Sequence, residues 1–291
     1  MNPEVVLFIG GSDPSGGAGI QTDIKTAVRL GVYPCSVLTS LTAQNSSRID
    51  GVWAVDSDII KAQLKSVLSD FKPSAVKIGL LRSVEAILYV VEAIEEYRLQ
   101  NVVVDPVLSL TLDSGTPDGE FISTLVERLF PLAVLVTPNL PEKETIEKVM
   151  GADFGSLCNA FLLKGGHAAE SYVISDMLYT HAQAFNPSES PSSTFPTINF
   201  NHSGNYFHDS LVPDPAEFSA TLEEKTFTHR RIHSGNTHGT GCMLSSAITC
   251  YLARDYDLQK AVKKGIDFTH EALKKSLNIK ITSGPYGPSQ I

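Results

Sequence analysis

Six short runs rich in Val, Ile and Leu recur along the chain: "EVVLFIG", "CSVLTSL", "SAVKIGLL", "NVVVDPV", "AVLVTPN" and "AFLLKGG". Runs of this length without polar alternation are how strands buried on both faces read. Such strands need helices over both faces, and helical stretches fall between them. Ile20, Ile24, Ala27 and Val28 share one face before Gly31 ends a first helix. Ser57 is placed to cap a second, with Ile60, Leu64, Val67 and Leu68 inward, and residues 83–98 read likewise. The alternation predicts an α/β fold, three layers α/β/α around a mostly parallel central sheet, with ligands collecting beyond the carboxyl ends of the strands.

Each chemically suggestive stretch sits at such an end: "GGSDPSGGAG", "TAQN", "GLL", "DPV", "TPNLPE" and "KGGH", one after each run in turn. The first contains a turn signal, Asp13-Pro14-Ser15-Gly16, and glycines that admit close backbone approach, but neither common nucleotide fingerprint is complete in it. Asp23 follows at the start of the first helix, where it is either a solvated carboxylate or an acceptor for a polar ligand. A second glycine-rich stretch, "NTHGTGCMLSSAI" at 236–248, opens a helix carrying Met243, Leu244, Ala247 and Ile248. Gly239 and Gly241 free consecutive backbone N–H groups there, and the positive end of the helix dipole faces the same way, which suits an anion. Asp105, Asn139 and Glu142 add acids and an amide at strand ends, the oxygen donors that a Mg²⁺–nucleotide complex needs.

Residues 181–226 break the pattern. They are rich in Ser, Pro, Thr and Asn without sustained periodicity, and read as a long loop, either a lid or a surface insertion. With no internal repeat and no second core, 1–291 reads as one domain carrying that insertion. The formal charge of −9 argues against nucleic acid or a lipid surface as partner and favours a small molecule. The first apolar run is too short for a membrane span and lacks the flanks of a signal peptide, so a cytoplasmic location is expected. Cys35, Cys158, Cys242 and Cys250 are scattered, which predicts neither disulfides nor a zinc site, and three of them read as buried thiols.

In order, "GSDPSGGAGIQTDIKT", "TSLTAQNS", "VKIGLL", "VVVDPV", "TPNLPE", "LLKGGH" and "NTHGTGC" resemble the hydroxymethylpyrimidine and phosphomethylpyrimidine kinases of thiamine biosynthesis, within the ribokinase-like superfamily. The resemblance covers nearly the whole chain outside 181–226. It implies ATP and Mg²⁺ as cofactors, two successive phosphorylations of 4-amino-5-hydroxymethyl-2-methylpyrimidine, and a homodimer. The pyrimidine would lie among Gly11, Asp23, Gln44, Leu80 and Val107. Gly239, Thr240, Gly241 and Cys242 would form the catalytic anion hole. Asn139, Lys164 and Thr240 would face the nucleotide, and Asp105 and Glu142 the metal. The Gln44 amide offers an acceptor and a donor to the ring nitrogen and exocyclic amine of an aminopyrimidine.

Sugar kinases of this superfamily have Asp where this sequence has Cys242, which implies the thiol as proton acceptor. A helix N-terminus lowers a thiol pKa, which makes a thiolate base chemically reasonable; the alternative is that Cys242 fits a tight helix start while the substrate hydroxyl loses its proton unaided. Three departures from the family pattern stand out: Leu80 where Met is common, a short stretch from Glu142 to Phe161, and the 181–226 insertion. Two rivals remain: a pyridoxal or pyridoxine kinase of the same superfamily, and a catalytically silent relative that binds pyrimidine or nucleotide.

Overall fold

The computed structural model describes residues 2–108, 118–165, 172–181, 222–282 and 287. Its described strands are β1 (Val5–Ser12), β2 (Tyr33–Gln44), β3 (Ile49–Ala54), β4 (Ala75–Ile78), β5 (Val102–Val104), β6 (Leu135–Val136), β7 (Ala160–Leu163), β8 (Val173–His181) and β9 (Leu222–Arg230). They join in one sheet of order β3-β2-β1-β4-β5-β6-β7-β8-β9. The pairings from β2 through β1, β4, β5 and β6 to β7 are parallel, and these six strands are the six apolar runs. The strands β3, β8 and β9 pair antiparallel at the two flanks.

Alternate residues of each central strand feed opposite cores. On one face Leu7 and Ile9 of β1 join Val76 and Ile78 of β4 beneath α2 (Ser57–Leu68), α3 (Val84–Glu96), α4 (Gly119–Thr124) and α5 (Leu140–Met150). On the other, Val6 and Phe8 pack under α1 (Gly19–Arg29) and α6 (Thr240–Leu252), while Val103, Leu135 and Leu162 meet α6 and α7 (Leu258–Ser276). Burying one such side chain contributes about 1.5–3 kcal/mol, so layers covered on both faces dominate the stability.

Local details differ from the sequence reading in four places. The buried arc of α1 runs through Ile20, Asp23 and Ala27, so Asp23 is buried and Val28, 62% exposed, points to solvent. The N-cap of α2 is Asp56, one residue before Ser57, and its side chain accepts from the Asp58 N–H. The segment 181–226 is not loop throughout: His181 closes β8 and Leu222 opens β9, and the two strands pair over their full length. Residues 182–221 lie outside the described residues, as do Gly166 and His167 of "LLKGGH". Finally, β3 and β8 were not marked by an apolar run. Expectations that hold include Gly31 just past α1 with φ +71°, the turn closed by Gly16 N–H to Asp13 O at 2.9 Å, and buried Cys35, Cys158 and Cys250.

The sheet order places β1 between β2, which follows it through α1, and β4, which lies on the opposite side. Successive connections leave β1 in opposite directions, and a crevice opens where they diverge.

Candidate active site

A cavity of about 300 Å³ fills that crevice beyond the carboxyl ends of the parallel strands. Its wall includes every site residue expected from the sequence. Gly11, Asp23, Gln44, Leu80 and Val107 lie in it, as do Asp105, Asn139, Glu142 and Lys164, and the stretch Gly239-Thr240-Gly241-Cys242. Residues from across the chain meet because they sit at or just past the carboxyl ends of the parallel strands, or in the first turns of α1, α5 and α6.

Two glycine-rich loops interlock at the floor. Gly239 is the N-cap of α6 with φ +77°, and a Cβ there would overlap the Gly17 carbonyl oxygen. Lacking a side chain, it caps nothing. The Thr240 N–H turns back to Thr237 O at 3.3 Å, and the first helical bond is Met243 N–H to Gly239 O at 2.9 Å. The N–H groups of Gly241 and Cys242 therefore have no carbonyl partner within α6, and both residues line the cavity. Of the four residues expected to form an anion hole, Gly241 and Cys242 offer such N–H groups, whereas that of Thr240 is taken up by Thr237.

Behind the start of α6 lies a charge pair the sequence reading passed over. Lys77, in the middle of β4 and 1% exposed, sends its ammonium to both Asp23 oxygens at 3.1 and 3.2 Å. Ser246 of α6 donates to Asp23 Oδ1 at 2.6 Å. Asp23 is thus fully engaged as the counter-charge of Lys77. Burial alone would pull the Lys77 pKa down, but Asp23 with Cys242 and Asp105 nearby pushes it above the ordinary lysine value. A signal for this pair was present, since a lysine inside an apolar run of a doubly covered strand must have a buried partner.

On the opposite wall Lys164 Nζ donates to Asp105 Oδ1 at 2.8 Å and lies 3.8 Å from Glu142 Oε2. Asp105 also accepts from Thr137 at 3.1 Å and from Ser245 at 3.2 Å. Burial would raise its pKa, yet Lys164 and Lys77 hold it below the usual carboxylate range. Asn139 and Glu142 form a capping box at the start of α5: Asn139 Oδ1 accepts from the Glu142 N–H, and Glu142 Oε2 from the Asn139 N–H, each at 2.8 Å. "NLPE" is therefore a helix start as well as a site motif. Burial pushes the Glu142 carboxyl up to about 7, with Lys164 pulling down and Asp105 adding to the rise.

Cys242 corrects an expectation. Its thiol is pushed up to about 11 because burial, with Asp23 and Asp105 nearby, outweighs Lys77 and the Gly19 N–H that favour the thiolate. The helix end does not win here. Asp13 and His238, also missed, face each other in the same wall, with His238 Nε2 2.8 Å from Asp13 Oδ2 and 3.1 Å from Gln44 Nε2. Burial raises the Asp13 pKa less than the His238 and Ser15 hydrogen bonds lower it, so it stays a carboxylate.

The family model for phosphomethylpyrimidine kinase matches residues 13–197 and 201–287. The chain belongs to the phosphomethylpyrimidine kinase family. The hydroxymethylpyrimidine/phosphomethylpyrimidine kinase of Escherichia coli (strain K12) is 34% identical, aligned over 96% of this chain and 94% of that protein. The thiamine biosynthesis bifunctional protein ThiED of Geobacter sulfurreducens is 35% identical over 96% of this chain, which spans 51% of the length of that relative. Among solved structures, phosphomethylpyrimidine kinase from Clostridium difficile 630 superposes with a TM-score of 0.63 at 31% identity, covering 92% of this chain and 99% of that one. An ADP complex of Bacillus subtilis pyridoxal kinase gives 0.71 at 26% identity, covering 99% and 98%. Among the described residues of this phosphomethylpyrimidine kinase family member, no helix is long and apolar enough to cross a membrane.

Proposed function

We propose that the chain transfers the γ-phosphoryl group of ATP to the hydroxymethyl group of 4-amino-5-hydroxymethyl-2-methylpyrimidine, and then a second phosphoryl group to the monophosphate. The observation that carries this reading is the single cavity. Its wall brings Gln44 and Leu80, which suit a flat aminopyrimidine, together with Lys164, Asn139 and Glu142 and the start of α6.

In the first step the hydroxymethyl oxygen bonds to the γ-phosphorus as the bond to the β-phosphate oxygen breaks, and ADP leaves. The N–H groups of Gly241 and Cys242 take up charge on the transferring group, and Lys164, held by Asp105 in the cavity wall, is placed to meet the phosphates. With its thiol held protonated, Cys242 acts through its backbone, and the hydroxyl proton passes late to a phosphoryl oxygen or water.

The donor set fits Mg²⁺. Glu142 lines the cavity, is pushed toward neutrality chiefly by burial with Asp105 adding to the rise, and has Oε1 without a hydrogen bond among the described residues. Glu142 would hold the ion, with Asp105 behind it anchoring Lys164, and the ion would supply charge neutralisation at the β- and γ-phosphates.

A second reading, pyridoxal kinase, is favoured by the ADP-complexed neighbour at TM-score 0.71. The paired donor and acceptor of Gln44 weigh toward the aminopyrimidine, because a site built on such a pair rejects rings lacking it. Following ADP release and the mono- and diphosphate products with each heterocycle decides between them. Higher kcat/KM on pyridoxal overturns the first reading, and binding without turnover of either establishes the silent relative.

A further inference from the structure

Three elements converge on one imidazole. His238, in the loop before α6, places Nε2 2.8 Å from Asp13 Oδ2 at the end of β1 and 3.1 Å from Gln44 Nε2 at the end of β2. A Cβ on Gly17 would overlap His238 Cδ2, so the ring is held against the first glycine-rich loop. Asp13, Gln44 and His238 all line the cavity.

Donors and acceptors along this line match in one order. A carboxylate only accepts, so the His238 nitrogen facing Asp13 carries the hydrogen. That N–H finds no acceptor in an amide NH₂ group. A half-turn of the Gln44 amide exchanges its oxygen and nitrogen at nearly the same positions, and the surrounding hydrogen bonds decide which order holds. With the oxygen toward His238, the imidazole N–H is shared between Asp13 and Gln44. The Gln44 NH₂ then faces Thr42 Oγ1 across the 3.3 Å contact, and the Thr42 hydroxyl donates to the Ser12 carbonyl at 2.9 Å. The opposite order sets N–H against N–H and asks the one Thr42 hydrogen to serve two acceptors.

We propose that His238, held by Asp13, is a positioning residue that fixes the donor–acceptor order of the Gln44 amide and so sets which heterocycle edge the site accepts. The inference rests on the pyrimidine site proposed above. A locked amide oxygen takes a donor from the ligand while the amide N–H meets a ring acceptor, the order that a 4-aminopyrimidine presents through its exocyclic amine and N3. A 4-oxopyrimidine with hydrogen on N3 presents the reverse. An amide free to turn accommodates both.

The test compares kcat/KM for 5-hydroxymethyl-2-methylpyrimidine carrying a 4-amino or a 4-oxo group, in the parent and in His238→Phe, which keeps ring bulk against Gly17 and deletes the N–H. The parent is expected to prefer the 4-amino compound by at least ~10²-fold. His238→Phe is expected to lower that ratio by about tenfold or more. In a Gln44→Ala background the same substitution is expected to leave the ratio within about twofold, because the relay then has nothing to orient. Should His238→Phe not fold, His238→Ala is read against the same ratio. Equal losses on both compounds, with the ratio unchanged, mark a merely structural histidine and overturn the inference, as does a parent that does not distinguish them. A parent that phosphorylates neither pyrimidine overturns the functional reading and this inference with it.

Discussion

Asp23→Asn removes the charge opposite Lys77 while keeping the shape of the side chain. The ammonium sits 3.1 Å from the nearer Asp23 oxygen, with the two side chains 1% and 0% exposed. At an effective dielectric of about 20, charges at this separation attract by roughly 5 kcal/mol. Deleting one member of a buried pair costs about 3–5 kcal/mol, because the survivor stays buried without its partner. For 291 residues, an unfolding entropy of about 0.6 kcal/mol per kelvin converts this loss into a Tm drop of about 5–8 °C. The pH dependence is more diagnostic than the size. In the parent, burial opposes and Asp23 more than restores the Lys77 charge, so its pKa is raised. That contribution is fully present below the ordinary lysine pKa of about 10.4 and is lost only as pH climbs through the raised value. In Asp23→Asn, only the weaker influence of Cys242 and Asp105 is left to offset burial, and the Lys77 pKa falls below its ordinary value. The unfolded variant then binds more protons than the native one, so its stability rises with pH up to about 10.4. Urea denaturation of both proteins between pH 7 and pH 10 should show a gap that narrows as pH rises. A gap under about 1 kcal/mol at pH 7, or one constant across the range, would refute the buried-pair account.

Two further substitutions probe the other wall and the start of α6. Glu142, at about 7 against about 4.3 unfolded, lets the unfolded chain lose its proton first, so ligand-free stability falls as pH rises between those values. Glu142→Gln should flatten that slope and stabilise the ligand-free protein at pH 8 by roughly 2–4 kcal/mol, while raising KM for MgATP; an unchanged slope of Tm against pH sinks the assignment. Cys242, with its thiol at about 11, is thiolate in only ~10⁻⁴ of molecules at pH 7. Cys242→Ala should therefore keep the first phosphorylation within about tenfold of the parent, since the backbone N–H survives, and a loss beyond ~10²-fold would restore the thiol as base.

The sheet was legible where burial on both faces leaves no room for polar residues. Each parallel strand from β2 to β7 in sheet order announced itself by a run rich in Val, Ile and Leu, broken in β4 by the paired Lys77 alone among charged residues. The flanking strands did not, because an antiparallel edge tolerates water on both sides: β9 reads "LEEKTFTHR" and is exposed at most positions, so its composition looks like loop. The same logic explains the position of Val28. A helix packed on a sheet end buries whichever arc faces the strands, and a buried carboxylate with a partner displaces a valine from that arc.

The site was legible in position and only partly in charge. Motifs at strand ends meet because a doubly wound sheet brings those ends together, so thirteen residues from seven motifs share one cavity. What the motifs could not convey is what each charge faces. Asp23 and Lys77 are 54 residues apart and Asp105 and Lys164 59 apart, so neither pair shows in any local window. Cys242 makes the consequence concrete. The local rule, a helix N-terminus lowering a thiol pKa, is correct for the turn it describes, yet burial and two acids brought in by α1 and the end of β5 reverse its outcome. A charged residue inside a run otherwise fit for a buried strand does oblige a partner somewhere in the fold. Lys77 therefore announced that an acid would lie over β4 and left open only which one.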